Sequence, residues 1–274
     1  MKYVCFAVNI TYIPCLERCI KGLLSRISKP EELQLVILMN QDVPKENHKD
    51  LCEIIASYNA PGPLIYYPEL MFKMDFRTEN VRDLPSAGSF TTFYRLFLPK
   101  LLKDVGVCLY MDTDIAILDD LTDLLDIDLE DYYIAGVPDR LCLDAAFDEH
   151  TTLYGIKPAH YVNAGMILMN LKAIRRDGIS EEFEEMGRTK ALRFLDQDIL
   201  NYSCKGNVKI LQKKYNVFPG DCEAELEILR SKAPECIHLL DSDAVINPSI
   251  IHYVGPRKPW NNTEVEYADR YFEM

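Results

Sequence analysis

Short, β-rich apolar runs alternate with longer amphipathic stretches through the first part of this 274-residue chain. Residues 2–8 (KYVCFAV), 34–39 (LQLVIL), 63–67 (PLIYY) and 106–111 (GVCLYM) read as strands. Between them, about Tyr12–Ser25 carries Leu16, Ile20, Leu23 and Leu24 at helical spacing, and 46–58 and 90–103 also read as helices. This rhythm predicts an α/β fold, a mostly parallel mixed sheet flanked by helices on both faces. Residues 115–160 are irregular and acidic, with a short helix expected in TDLLDIDLEDYY and a strand at 132–137 (YYIAGV). A further strand is expected at 161–170 (YVNAGMILMN). Residues 171–204 read as helical, with an apolar stripe through Phe183, Met186, Leu192, Leu195 and Leu200. The end of the chain alternates strands (207–211 and 251–255) with loops. No repeat, low-complexity tract or Gly/Ser linker divides it, so a single domain is expected over 1–274.

Apolar residues make up 48% and charged residues 27%, enough for a sizeable core. A net charge of −13 opposes binding to nucleic acid, and an anionic ligand would need local help from a metal, a Lys or an Arg. Nine cysteines at irregular spacing include no C-x-x-C pair, which argues against a zinc ribbon and for free thiols in a reducing cytoplasm. The N-terminal apolar run reads as a first strand rather than a signal peptide, and no run of 18 apolar residues predicts a transmembrane helix.

The strongest local signal is Leu109-Tyr110-Met111-Asp112-Thr113-Asp114. An apolar strand runs into two carboxylates at the end where open α/β sheets bind ligands, and two hard oxygen ligands there suit Mn²⁺ or Mg²⁺. A bare D-x-D is common in surface turns, and the preceding strand is what sets this one apart. In Ile251-His252-Tyr253-Val254-Gly255-Pro256-Arg257-Lys258-Pro259-Trp260, His252 offers a third ligand, Gly255 close backbone approach and Lys258 a point charge for phosphate. The bland alternatives are a core histidine and a solvated lysine. Tyr161-Val162-Asn163-Ala164-Gly165-Met166 offers amides and close backbone approach to sugar hydroxyls. In Leu195-Asp196-Gln197-Asp198-Ile199-Leu200, Asp198 reads equally as a helix cap. Arg95, in Thr91-Thr92-Phe93-Tyr94-Arg95-Leu96, is either a diphosphate clamp or a surface cation.

Together and in this order, LYMDTD, NAGMILMNL, LDQDILN and HYVGPRKPW resemble the family-8 retaining glycosyltransferases of the GT-A fold. Bacterial lipopolysaccharide glucosyl- and galactosyltransferases are the nearer kin and glycogenin the more distant. The resemblance spans nearly the whole chain and implies a nucleotide-binding half over about 1–115 and a donor-sugar and acceptor half over about 116–274. It implies Mn²⁺ held by Asp112, Asp114 and His252, bridging the diphosphate of a UDP-sugar. Ala7, Asn9, Thr11 and Tyr12 would hold the uridine, with Tyr12 on the uracil, and Thr113 would lie near the ribose. Arg95, Gly255 and Lys258 would serve the phosphates. Asn163, Ala164 and Gly165 would line the donor-sugar pocket, Asp196 would bind donor hydroxyls, and Gln197 would lie beside the anomeric carbon. Asp139 and the loop 140–160 would face a saccharide or glycolipid acceptor, with no membrane contact beyond a peripheral one. One departure is Asn9, where the lipopolysaccharide enzymes commonly carry an aspartate; hydrogen bonding is kept and a charge lost.

The implied activity is retaining transfer of glucose or galactose from a UDP-sugar. A neutral Gln197 amide is a poor nucleophile, so front-face attack by the acceptor is favoured, with the leaving phosphate oxygen helping to take its proton and Asp196 as a lesser candidate nucleophile. Two alternatives remain from the residues alone. One is a metal-dependent phosphatase with an aspartate nucleophile, though Ile115-Ala116 lacks the Thr or Val pattern expected after the second Asp. The other is a nucleotide-sugar-binding protein without turnover.

Overall fold

The computed structural model describes residues 1–76, 90–190, 192–232, 234–241 and 243–274. Strands β1 (Lys2–Val8), β2 (Leu33–Met39), β3 (Leu64–Tyr66) and β4 (Val107–Met111) fall on the expected runs and pair in parallel in the order β3-β2-β1-β4. Successive residues of β1 and β2 enter opposite cores: Cys5, Val36 and Leu38 one, Val4, Phe6, Leu35 and Ile37 the other. Both faces are buried, which is why these strands read as unbroken apolar runs. Helices Ile13–Leu24 and Lys45–Ser57 supply Leu16, Ile20, Leu51 and Ile55 to one core. Segment Phe90–Phe97 supplies Phe93, Tyr94 and Phe97 to the other.

Beyond β4 the strand direction reverses. β7 (Val162–Asn170) is antiparallel to both β4 and β6 (Ile134–Pro138), and β8 (Val208–Ile210) is parallel to β6. Among the described residues this gives a seven-stranded mixed sheet, β3-β2-β1-β4-β7-β6-β8. The reversal brings the start of β7 to the carboxyl end of β4, where Met111 faces Met166 and the Asp112 N–H donates to the Gly165 carbonyl at 2.7 Å. A second, two-stranded sheet pairs β5 (Ile115–Ile117) antiparallel with β9 (Ile250–His252), placing Ile115 opposite His252. β5 was not among the expected strands.

Four expectations need correction. The stretch 171–204 is three helices, Leu171–Arg176, Ile179–Thr189 and Leu195–Ser203, and residue 191 lies outside the described residues. The first break is at Asp177-Gly178, where Gly178 has φ +72, a conformation glycine adopts without a Cβ clash. The second ends in Leu195 at φ +49. The stretch 90–103 is a 3-10 segment, Phe90–Phe97, followed by one α-turn, Leu98–Leu101; Pro99 has no N–H with which to continue an α-helix from Arg95. The loop 140–160 contains a helix, Ala145–Leu153, between 3-10 turns. The C-terminal part includes a helix at Glu223–Lys232 that buries Leu226 and Leu229, where loops were expected. The eight cysteines with described side chains are all free thiols. Among the described residues no helix is long and apolar enough to cross a membrane.

Asn170 ends β7 and starts the next helix. Its Oδ1 accepts from the Ala173 N–H at 3.0 Å and its Nδ2 donates to the Glu130 carbonyl at 3.1 Å. Replacing Asn170 with Ala should cost on the order of 1–2 kcal/mol, read as a lower urea midpoint with an unchanged m-value.

Candidate functional site

Alternation along β4 turns Tyr110 and Asp112 to the same face of the sheet. There the Tyr110 hydroxyl donates to Asp112 Oδ1 at 2.9 Å, and Arg95 Nη2 meets the same oxygen at 2.8 Å. Arg95 is buried. It lies 4.0 Å over the Tyr110 ring, donates to the carbonyls of Thr92 and Ala164, and has Nε 3.1 Å from Asp196 Oδ2. Burial works against its charge, but Asp112 and Asp196 more than offset this and hold its pKa above the ordinary value.

Asp114 lies two residues further on, and the Tyr253 N–H donates to its backbone carbonyl at 2.9 Å. Asp112, Asp114 and His252 each place a ligand atom within 4.8 Å of the others. His252 Nε2 is 3.3 Å from Asp114 Oδ1 and 3.9 Å from Asp112 Oδ2. Asp114 Oδ1 is buried and has no hydrogen-bond partner among the described residues. Lys258 donates to Asp114 Oδ2 and to the Tyr253 carbonyl. Burial alone would raise the Asp114 pKa; His252 and Lys258 together pull it below the usual carboxylate range.

Gly165 forms the wall opposite these ligands. A Cβ there would sit 2.1 Å from His252 Cε1 and 2.7 Å from Asp112 Oδ2. Only a residue without a side chain leaves these three groups room to converge. Two oxygens and an imidazole nitrogen, one oxygen unpartnered, form a donor set suited to a divalent cation such as Mn²⁺ or Mg²⁺.

Helix Leu195–Ser203 presents side chains to the start of β7. The Asn201 amide exchanges two hydrogen bonds of 2.8 Å with the Val162 backbone. One turn earlier, Gln197 Oε1 accepts from the Ala164 N–H at 2.8 Å and from Asn163 Nδ2 at 3.2 Å, while Gln197 Nε2 donates to Asp139 Oδ2 at 3.2 Å. Asp196 receives a hydrogen bond from the Thr92 hydroxyl, and its Oδ2 faces Arg95 without an aligned N–H. Burial pushes the Asp196 pKa up to about 6, against the opposing pull of Arg95 and Thr92.

These groups line an open cleft of about 1210 Å³. Of the residues singled out in the sequence, Arg95, Asp112, Asp114, Asp139, Asn163, Ala164, Gly165, Asp196, Gln197, His252 and Gly255 line it. Gly255 has φ +83, a conformation that favours glycine. Arg140, Leu141, Leu143 and Asp144, from the stretch expected to face an acceptor, also contribute. Six others are not in its lining. Thr113 and Lys258 are buried beside it. Ala7 lies near the end of β1, and Asn9 follows that strand with its Oδ1 accepting from the Thr11 N–H at 3.1 Å. Tyr12 meets Trp260 edge to face, with ring centroids 6.2 Å apart.

Asp139 has protein partners on both oxygens: Leu141 N–H on one, Asn163 and Gln197 on the other. Asn216, fully buried, was not anticipated. It bridges His252 and Asn163, and a lone Asn in KKYNVF carries no sequence signal for that role.

The sequence model of glycosyl transferase family 8 matches residues 3–264. A Haemophilus influenzae protein to which a glycosyltransferase function is ascribed is 26% identical over 261 residues, 94% of this chain and 72% of that one. The lipopolysaccharide 1,3-galactosyltransferase of Salmonella typhimurium is 27% identical over 203 residues, 71% of this chain and 57% of its own length, so this chain spans little more than half of that relative. Among solved structures, the galactosyltransferase LgtC in complex with donor and acceptor sugar analogues superposes with a TM-score of 0.76 at 25% identity, over 99% of this chain and 94% of that one. With the match running through β4, β7, the helix Leu195–Ser203 and β9, the chain belongs to glycosyl transferase family 8.

Proposed function

We propose that this protein transfers glucose or galactose from a UDP-sugar to a saccharide or glycolipid acceptor, with retention at the anomeric carbon and with Mn²⁺ held by Asp112, Asp114 and His252. The observation that carries the reading is the convergence of these three ligands on an unpartnered Asp114 oxygen, against a glycine that leaves them room. The Salmonella relative, a galactosyltransferase, and the donor analogue named for the LgtC complex support a hexosyl nucleotide as donor. Membership of the family leaves the phosphatase alternative without support.

Asp112, Asp114 and His252 would hold the Mn²⁺, which would supply positive charge to offset that of a departing nucleoside diphosphate. Lys258, bonded to Asp114, adds positive charge at that end of the cleft, and Arg95 holds Asp112 in place. Ala7, Asn9, Thr11 and Tyr12 follow from the carboxyl end of β1, beside that of β4, and are assigned to the uridine, with Thr113 near the ribose. Gly255 lets backbone approach the phosphates.

Asn163, Ala164, Gly165 and Asp196 are assigned to the donor sugar, with Gln197 beside its reacting carbon. Gln197 Oε1 already accepts two hydrogen bonds, so its lone pairs are engaged and it is a poor nucleophile. That favours front-face attack, in which the acceptor hydroxyl passes its proton to the departing phosphate oxygen. Asp196 lines the cleft and is assigned to a donor hydroxyl, with its Oδ2 facing Arg95 and lacking an aligned donor.

Three outcomes are expected. UDP release from UDP-glucose or UDP-galactose should depend on Mn²⁺, stop in EDTA and fall about 100-fold or more in Asp114→Ala; absence of both release and UDP binding with every donor would sink the reading. Gly165→Ala should lose Mn²⁺ affinity and a comparable share of activity while keeping a native far-UV spectrum, because its methyl group would push His252 and Asp112 apart. Ionised Asp196 is the stronger acceptor for a donor hydroxyl, and it takes up a proton as pH falls through about 6. kcat/KM, which reports the free enzyme, should therefore drop below that pH, and the residual activity of Asp196→Asn should lack this acid limb.

A further inference from the structure

We propose that Asn216 is a positioning residue that fixes the tautomer of His252 through a hydrogen-bond relay of a single direction. The inference rests on the metal reading above for its consequence but not for its geometry.

The relay starts at a group whose polarity cannot change. The Gly165 peptide N–H donates to Asn163 Oδ1 at 3.0 Å, so the amide oxygen of Asn163 must face it. With its oxygen there, Asn163 turns its Nδ2 toward Asp139 Oδ2 at 2.7 Å and Gln197 Oε1 at 3.2 Å, both acceptors. The opposite amide orientation would set NH₂ against a peptide N–H and an oxygen against a carboxylate. The Asn163 oxygen also accepts from Asn216 Nδ2 at 3.1 Å, so the second amide has its nitrogen on that side. The remaining Asn216 atom, Oδ1, lies 3.1 Å from His252 Nδ1 and can only accept. His252 Nδ1 therefore carries the proton, and the lone pair of a neutral ring is left on Nε2, the atom that faces Asp112 and Asp114.

Asn216 has little freedom to leave this arrangement. It is fully buried, its N–H donates to the Lys213 carbonyl at 3.0 Å, and its own carbonyl accepts from Lys213 Nζ at 3.1 Å. Lys213 is in turn held by Asp221 at 2.6 Å. The ring orientation of a metal ligand is thus tied, through two amides, to the backbone of the glycine that makes room for the metal.

The test uses the full chain. Nitrogen-15 NMR of the imidazoles, followed in EDTA across a pH series until the shifts stop changing at its alkaline end, reads the tautomer; His252→Gln identifies the resonance among the five histidines. Electron paramagnetic resonance titration reads Mn²⁺ affinity. Wild type should show Nδ1–H with a bare Nε2. Asn216→Leu should show mixed tautomers and an Mn²⁺ Kd raised roughly 10- to 100-fold. Asn216→Asp keeps an acceptor opposite Nδ1 and should retain the tautomer, while its second oxygen loses the bond to Asn163 Oδ1. A wild-type neutral ring with its proton on Nε2 overturns the proposal without recourse to any variant, as does an Asn216→Leu protein with unchanged tautomer and affinity. Wild type that keeps Nδ1–H but binds no Mn²⁺ would instead overturn the metal reading and leave the tautomer assignment standing.

Discussion

One buried guanidinium ties the parts of the site together. Arg95 reaches Asp112 after β4, the Ala164 carbonyl in β7 and Asp196 at the start of helix Leu195–Ser203. In a chain with net charge −13, this is a buried cation between Asp196, which is buried with it, and Asp112, which keeps contact with water. Desolvating Arg95 and Asp196 is expensive, and buried ion pairs often add little net stability. Geometry is what Arg95 contributes: a planar fork with five donors sets the angle between a strand, its antiparallel neighbour and a helix, which a lysine could not do. The 3-10 geometry of Phe90–Phe97 belongs to the same arrangement, since Arg95 Nε bonds back to the Thr92 carbonyl while the Thr92 hydroxyl bonds Asp196.

The position of the cleft follows from the sheet. Open α/β sheets bind ligands at the carboxyl ends of their strands. Here β1 and β4 obey that rule, and the reversal at β7 adds a strand that arrives amino end first. Its first residues therefore lie beside Asp112, and Gly165 can stand directly against the carboxylate. A parallel neighbour would bring its carboxyl end to the same place and no such entry segment.

Much of this was legible. Strands buried on both faces declare themselves as apolar runs, so β1, β2 and β4 were readable within a residue or two, and the strand running into Asp112 and Asp114 marked the site. The misses have separate physical causes. The Asp177-Gly178 pair was a turn signal overridden by the apolar stripe around it. The break before Leu195 depends on a left-handed leucine, held there by Asp198 accepting from the Arg193 and Phe194 N–H groups, and residue type does not announce that conformation. β5 is three residues long and exists because a distant strand pairs with it. Asn216 acts through contacts to Asn163 and His252, far from it in sequence, and nothing local distinguishes it from any loop asparagine.

The pairing of β5 with β9 has a consequence in time. A chain synthesised from its amino end exposes both aspartates, β5 and the β1-β2-β3 layer well before Ile250–His252 emerge. Contacts so far apart in sequence form late, because the loop between them must close first. Until they do, the two carboxylates lack their imidazole partner, and any cation they attract is held by oxygen alone. Assembly of the full three-residue donor set thus becomes a late event in biogenesis, coupled to the docking of the last strand rather than to the formation of the sheet.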